Sequence, residues 1–255
     1  MKLLSCNVGY LLDYEGSYHE YLLRPHRGLV GSRVAEERAI TQLVDVIVEE
    51  QPDVVGLLEV DQGSVRTRTD GQVADIAARL GEHGLSYQSY AATKYGNGGF
   101  IPSLPMLQYL ANGVLLKDDY TITPHYLETG PKRLVVEVST PTADIFSTHL
   151  AMSGRARRNQ LRELAKLVSD REYPVVAGDF NAYNGLDEVR DIFEGMGLIV
   201  YDPGETVPAR PLDTVVTSTR TLDFFIAPRE MTVSRCEVID EQISDHRPII
   251  MEFER

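Results

Sequence analysis

The run from Asp53 to Val60, Asp-Val-Val-Gly-Leu-Leu-Glu-Val, constrains the fold more than any other stretch of the chain. It is apolar and β-branched at consecutive positions, has the length of a strand and carries no helical period. A strand that is apolar on both faces has to be covered on both, so the chain needs packed layers on each side of a sheet. Its neighbours supply them. From Arg33 to Glu50 the residues Ile40, Leu43, Val44, Ile47 and Val48 recur at helical spacing until Gln51-Pro52 stops the run. Lys2 to Val8 reads as a short buried strand ahead of that helix, which gives a β-α-β opening.

Further along, Val73, Ile76, Ala77 and Leu80 predict a helix over Gln72 to Glu82, stopped by Gly84. Val114 to Leu116 and Leu134 to Ser139 read as strands, and Thr140-Pro141-Thr142-Ala143 turns the second into Asp144 to Thr148 as a hairpin. Arg157 to Ser169 is helical, Pro174 opens a buried strand over Val175 to Gly178, and Asp187 to Met196 is a short helix. Leu222 to Ala227, Met231 to Val238 and Arg247 to Phe253 close the chain as strands. Leu11 to Gly31 and Tyr95 to Ala111 are expected to be loops, the latter with Phe100, Ile101, Leu104, Met106 and Leu107 either packed or resting on lipid or a base. No repeat or linker divides the chain, so residues 1–255 are expected to form one α/β domain. Strands arrive in consecutive groups, which favours two mainly antiparallel sheets packed face to face with outer helices over alternating βα winding.

A chain that is 43% hydrophobic and 25% charged can bury a sizeable core, which excludes disorder. No stretch approaches the roughly 18 apolar residues of a membrane span. Met1 to Asn7 meets a polar residue too early for a signal peptide, and Cys6 and Cys236 fit neither a disulfide framework nor a zinc motif. A cytoplasmic protein is expected, and no obligate protein partner is evident. Against 25 Lys and Arg stand 38 Asp and Glu, a net charge of −13 that disfavours a sequence-independent grip on nucleic acid.

Chemistry enters where polar groups interrupt or end the apolar strands. Asn7 ends the first, Glu59 breaks into the second, and His149 follows Asp144 to Thr148. Asp179 and Asn181 follow Val175 to Gly178, Asp223 stands between Leu222 and Phe224, and Asp245-His246 precede the last strand. One such residue is most simply a turn former. As a set they are not, because burying an unpaired carboxylate costs several kcal/mol and calls for a metal, a histidine or hydrogen-bond donors. Carboxylate and amide oxygens are hard ligands suited to Mg²⁺ or Mn²⁺, and no Cys/His cluster offers a zinc site. With histidines to hold phosphate and a carboxylate to activate water, the inventory points to metal-assisted phosphoester hydrolysis.

In order, Leu4-Ser5-Cys6-Asn7, Leu57-Leu58-Glu59-Val60-Asp61, Ser147-Thr148-His149-Leu150, Gly178-Asp179-Phe180-Asn181, Leu222-Asp223-Phe224-Phe225 and Ser244-Asp245-His246-Arg247-Pro248 resemble the motif series of the endonuclease/exonuclease/phosphatase superfamily. The resemblance implies a four-layered α/β sandwich. It implies that Glu59 is the principal metal ligand, with Asn7 and Asp245 near the same ion. Asp179 would orient and deprotonate the attacking water, and Asn181 would help to position water and phosphate. His246 would contact the phosphate, set in its tautomer by Asp223, and His149 would be a second phosphate contact or a proton donor. The chain has no Trp, and its first motif is Ser5-Cys6-Asn7 rather than the Thr-Trp-Asn usual in the apurinic-endonuclease branch. Thr148-His149-Leu150 is more similar to branches acting on phospholipids, inositol phosphates and nucleotide ends. A small, nucleotide or lipid-headgroup phosphoester is therefore the expected substrate, with a Mg²⁺-dependent nuclease as the alternative and a catalytically silent binding protein a third reading. Arg155, Arg157, Arg158 and Arg162 form either a solvated helix face or a phosphate-attracting rim, with Arg155 and Arg158 as candidate substrate contacts. His19, His26, His83 and His125 are expected at the surface.

Overall fold

The computed structural model describes residues 1–11, 33–64, 71–95, 107–207 and 219–255. The elements, in chain order, begin β1 (Lys2–Asn7), α1 (Arg33–Glu50), β2 (Val54–Asp61), α2 (Gln72–Glu82), β3 (Gln88–Thr93), β4 (Leu110–Leu116) and β5 (Thr121–Tyr126). There follow β6 (Leu134–Ser139), β7 (Asp144–His149), α3 (Gly154–Val168), β8 (Pro174–Asp179) and α4 (Asp187–Phe193). β9 (Leu198–Tyr201), β10 (Asp223–Pro228), β11 (Thr232–Val238) and β12 (Ile249–Glu254) complete it. The helices expected over Arg33 to Glu50 and Gln72 to Glu82 stand at their expected bounds, whereas the one expected over Arg157 to Ser169 begins three residues earlier, at Gly154, and ends at Val168. Helix α1 ends where Gln51 turns to a positive φ of 47° ahead of Pro52. Helix α2 ends in a Schellman-type turn, with the Leu85 N–H on the Leu80 carbonyl at 3.0 Å.

The strands form two six-stranded sheets, ordered β11-β12-β1-β2-β4-β3 and β5-β6-β7-β8-β10-β9. Only the central pairs β1/β2 and β7/β8 are parallel, each joined by a helical crossover, and the remaining neighbours are antiparallel. The second sheet repeats the topology of the first with every strand shifted by six.

Successive strand residues serve different layers. Leu3, Val54, Val175 and Phe225 enter the core between the sheets, whereas Leu4 and Val55 face α1 and α2, and Val176 and Phe224 face α3 and α4. Each central strand is thus apolar on both faces because one face meets the other sheet and the other a helical layer, which makes four layers. Among the described residues no helix is long and apolar enough to cross a membrane.

Three strands go beyond the sequence reading, β3, β5 and β9, and each lies at an edge of its sheet. Edge strands bury less and tolerate proline, as Pro124 in the largely exposed β5 illustrates. The expected loop from Tyr95 to Ala111 ends too late, since Leu110 and Ala111 are already paired in β4. Its apolar residues 100, 101, 104 and 106 lie outside the described residues, as do His19, His26 and nearly all of the loop expected over Leu11 to Gly31. His83 is exposed as expected, but His125 is half-buried and bonded to Glu137 at 2.5 Å. The cysteines are free, Cys6 buried and Cys236 partly so.

Candidate active site

The parallel strands of both sheets deliver their last residues to one place. In the register of β7, β8 and β10, His149 pairs with Asp179 and Asp223 with Asp179, so the three side chains lie side by side across one sheet. From the other sheet, Asn7 ends β1 opposite Leu58 of β2, one residue before Glu59. The Asn7 side-chain N–H donates to Asp179 Oδ2 at 3.1 Å and joins the two sheets. The C-terminal ends of parallel strands are where α/β sheets commonly hold ligands.

Backbone geometry aims several of these groups. The pairing of β2 with β4 slips between Leu57 and Val60, and Glu59 in the slip has a φ of 56°. Its N–H donates to Asn112 Oδ1 at 3.2 Å. A bulge of this kind turns a strand side chain out of its alternation. Asn181 has a φ of 51°, with its N–H on Asp179 Oδ1 at 2.9 Å and its side-chain amide on the Leu150 carbonyl at 2.9 Å. Tyr10 and Lys132, both beside the site, also have positive φ. Non-glycine residues held in this region concentrate at functional sites.

Asp179 is the hub. His149 Nε2 lies 3.1 Å and His246 Nε2 3.9 Å from its Oδ2. Burial acts to raise the Asp179 carboxyl, but the adjacent histidines hold it well below the usual carboxylate range. His246 Nδ1 bonds Asp223 Oδ2 at 2.6 Å. Burial opposes the His246 charge, yet Asp223 and then Asp179 push the ring up to about 10. That shift favours the charged ring near neutral pH, with its Nδ1 facing Asp223. His149 goes the other way, because burial and then Lys132 lower it to about 4, so it is neutral near pH 7. Its Nδ1 is buried without a hydrogen-bond partner.

Glu59 is set among cations. Its Oε1 lies 3.3 Å from Lys94 Nζ and 3.6 Å from both Lys132 Nζ and His149 Nδ1. Burial acts to raise its carboxyl, but Lys94, then His149 and Lys132, hold it well below the usual range. Lys94 is wholly buried, and its ammonium also donates to the Tyr10 hydroxyl at 3.0 Å. Lys132 Nζ reaches His149 Nε2 at 2.5 Å. Sequence reasoning missed both lysines: neither interrupts an apolar run, and Lys94 is delivered from the end of edge strand β3.

The donor set suits a hard divalent cation. Asp179, Asp223 and His246 each place one ligand atom within 4.8 Å of the others. The Glu59 carboxylate is 20% exposed whereas those of Asp179 and Asp223 are nearly closed, so Glu59 is open to an entering ion. Asp245 lies against Gly9, two residues past Asn7. Of the expected ligands, Asn7 touches Asp179 and Glu59 lies 3.6 Å from His149 Nδ1, but Glu59 and Asp245 are not part of the Asp179, Asp223 and His246 group, which is drawn from the expected catalytic residues. The arginine cluster does not join them as a unit. Arg157 is buried, bonded to Glu188 at 2.5 Å and to the Met152 carbonyl at 2.9 Å, so it is a strut and not part of a rim. Arg155 and Arg158 are exposed on α3, and none of the ion pairs or hydrogen bonds described here links them to the site.

The sequence matches the family model described as Endonuclease/Exonuclease/phosphatase over residues 5–246. No curated protein matches it. Among solved structures, the endonuclease/exonuclease/phosphatase from Beutenbergia cavernae is similar with a TM-score of 0.70 at 21% identity, covering 100% of this chain and 71% of that one. A mannosyl-6-phosphatase of Bacteroides thetaiotaomicron aligns with a TM-score of 0.66 at 12% identity, covering 100% of both chains. The catalytic domain of human Nocturnin, solved with a bound sulfate, gives 0.64 at 16% identity, covering 100% of this chain and 93% of that one.

Proposed function

We propose, from the premise that the chain belongs to the endonuclease/exonuclease/phosphatase family, whose members hydrolyse phosphoester bonds, that it is a Mg²⁺- or Mn²⁺-dependent hydrolase of a small phosphoester, a nucleotide or lipid-headgroup compound, acting as one domain over residues 1–255. The observation that carries this is the meeting of Glu59, Asn7, His149, Asp179 and His246 at the inner ends of the central strands of both sheets.

Glu59, Asn7 and Asp245 would hold the cation. A divalent ion bound there polarises the phosphoryl oxygen and makes nearby water more acidic. That second effect matters for Asp179, which as a strongly acidic carboxyl is a weak base on its own. Ionised at neutral pH, it orients the attacking water and accepts its hydrogen bond, while Asn181 fixes the carboxylate through its backbone N–H. The His246 imidazolium donates from Nε2 to the phosphoryl group, and Asp223 holds it there. Neutral His149 provides the second contact. The net charge of −13 leaves attraction of an anion to these local groups and favours small substrates over a polynucleotide.

The test is a metal-dependent screen with bis(p-nitrophenyl) phosphate, p-nitrophenyl phosphate, nucleotides, inositol phosphates, phospholipids, short RNA and plasmid DNA. Turnover that needs Mg²⁺ or Mn²⁺ and falls at least about 100-fold in Glu59→Gln is expected. A Glu59→Gln variant with wild-type turnover removes the site assignment, and preferential cleavage of plasmid DNA at physiological salt removes the substrate ranking.

A further inference from the structure

Lys132 and the segment that presents it have no part in the motif series, yet two polar side chains of helix α3, Gln160 and Glu163, hold that segment. Gln160 is fully buried, and its amide nitrogen donates to the carbonyls of Thr129 and Pro131, both at 2.9 Å, and of Lys132 at 3.4 Å. One turn on, the Glu163 carboxylate accepts from the Glu128 N–H at 2.6 Å, from the Thr129 N–H at 3.3 Å and from the Thr129 hydroxyl. The result is a Lys132 backbone fixed at a φ of 59°, a left-handed conformation unfavourable for a residue with a side chain. Such a conformation persists where surroundings impose it.

That backbone aims the ammonium at the site. Lys132 Nζ stands 2.5 Å from His149 Nε2 and 3.6 Å from Glu59 Oε1. The lysine side chains differ in access: Lys94 is 1% exposed and Lys132 21%, so an entering anion meets Lys132. Glu59 is its counter-ion, and a cation taken up by Glu59 leaves the lysine charge to be matched by something else. A phosphoryl oxygen is the anion available in a phosphoester hydrolase.

We propose that Lys132 is a catalytic residue that binds the phosphoryl group undergoing transfer, and that Glu163 and Gln160 are positioning residues acting through it. This rests on the phosphoester-hydrolase reading above. Lys94, closed off beneath Tyr10, serves Glu59 and does not reach the substrate.

The test pairs turnover with binding of inorganic phosphate, followed by calorimetry in the presence of Mg²⁺. Lys132→Met is expected to weaken phosphate binding and lower kcat/KM on bis(p-nitrophenyl) phosphate by about 10- to 100-fold, the usual weight of a charge-assisted hydrogen bond. Its melting temperature stays near wild type. Glu163 is the better positioning probe, since Gln160 also accepts from the Ala151 N–H at 2.8 Å, just beyond His149. Glu163→Ala should lower kcat/KM several-fold in the wild-type background and not at all in Lys132→Met, because a residue acting through Lys132 has nothing left to act on. If Glu163→Ala does not fold, Gln160→Met takes its place in the cycle. Additive losses overturn the positioning half, and a Lys132→Met variant within twofold of wild type in both readouts overturns the catalytic half. A wild-type protein that neither binds phosphate nor turns over any phosphoester overturns the hydrolase reading and this proposal with it, an outcome distinct from a failure of the lysine alone.

Discussion

Gly178→Ala is the sharpest test of how the strands hold the site. Gly178 has a φ of 141° and is paired in register with Thr148 of the parallel neighbour β7. A Cβ built on Gly178 would stand 1.9 Å from the Thr148 carbonyl oxygen, where real Cβ contacts stay beyond 3.0 Å. The obstacle is backbone, so β7 and β8 must part by more than about 1 Å at this level. The residues immediately beyond are His149 and Asp179, whose Nε2 to Oδ2 distance of 3.1 Å does not survive such a shift. The unfavourable φ and the broken strand contact together cost about 3 kcal/mol, which for a chain of this size lowers the melting temperature by about 6–12 °C. A 1 Å misplacement of reacting groups costs about 100-fold in rate. Thermal denaturation and turnover of bis(p-nitrophenyl) phosphate with Mg²⁺ read both effects in one preparation. A Gly178→Ala protein that melts within 2 °C of wild type, as an order-of-magnitude bound, and keeps a third of its activity refutes the reasoning.

The two site histidines should tilt the stability curve in opposite directions. His246 is raised to about 10 in the folded protein from an ordinary histidine value of 6.5, so its stabilisation is complete below pH 6.5 and is lost as pH rises toward 10. His149 is lowered to about 4, so the folded protein is penalised as pH falls from 6.5 toward 4, where the unfolded chain takes up the proton more readily. Melting temperatures measured across pH should show His246→Gln flattening the alkaline limb and His149→Gln flattening the acid limb, and the same limb responding to both would sink the assignment. On α3, Arg157→Ala should lose about 3 kcal/mol by stranding Glu188, with kcat/KM almost unchanged, whereas Arg158→Ala should leave denaturant stability within about 0.5 kcal/mol. A large activity loss without destabilisation in Arg157→Ala would return that residue to the substrate rim.

The edge strands show where legibility faded. β2 and β8 were readable because both faces of each are buried, so their residues run apolar until the carboxylates Glu59 and Asp179. β3, β5 and β9 have one neighbour apiece, and Gln88 to Thr93 carries little apolar signal. The same contrast holds at the site. Glu59, Asp179 and Asp223 stood out because a carboxylate inside an apolar run demands a partner. Lys94 and Lys132 come from a strand end and a loop, where a lysine is unremarkable in sequence.

The sequence by itself determined the layering and the reaction class, since the period of apolar residues dictates which faces are covered and the types of the interrupting groups dictate the chemistry available. The tertiary structure alone decided how those groups are charged and paired. His149 and His246 are the same side chain, yet one is neutral beside a lysine and the other an imidazolium between two carboxylates. Protonation depends on burial and on charges within a few ångströms, and those charges sit on Lys132, Asp179 and Asp223, which lie far apart in sequence and are brought together only by folding.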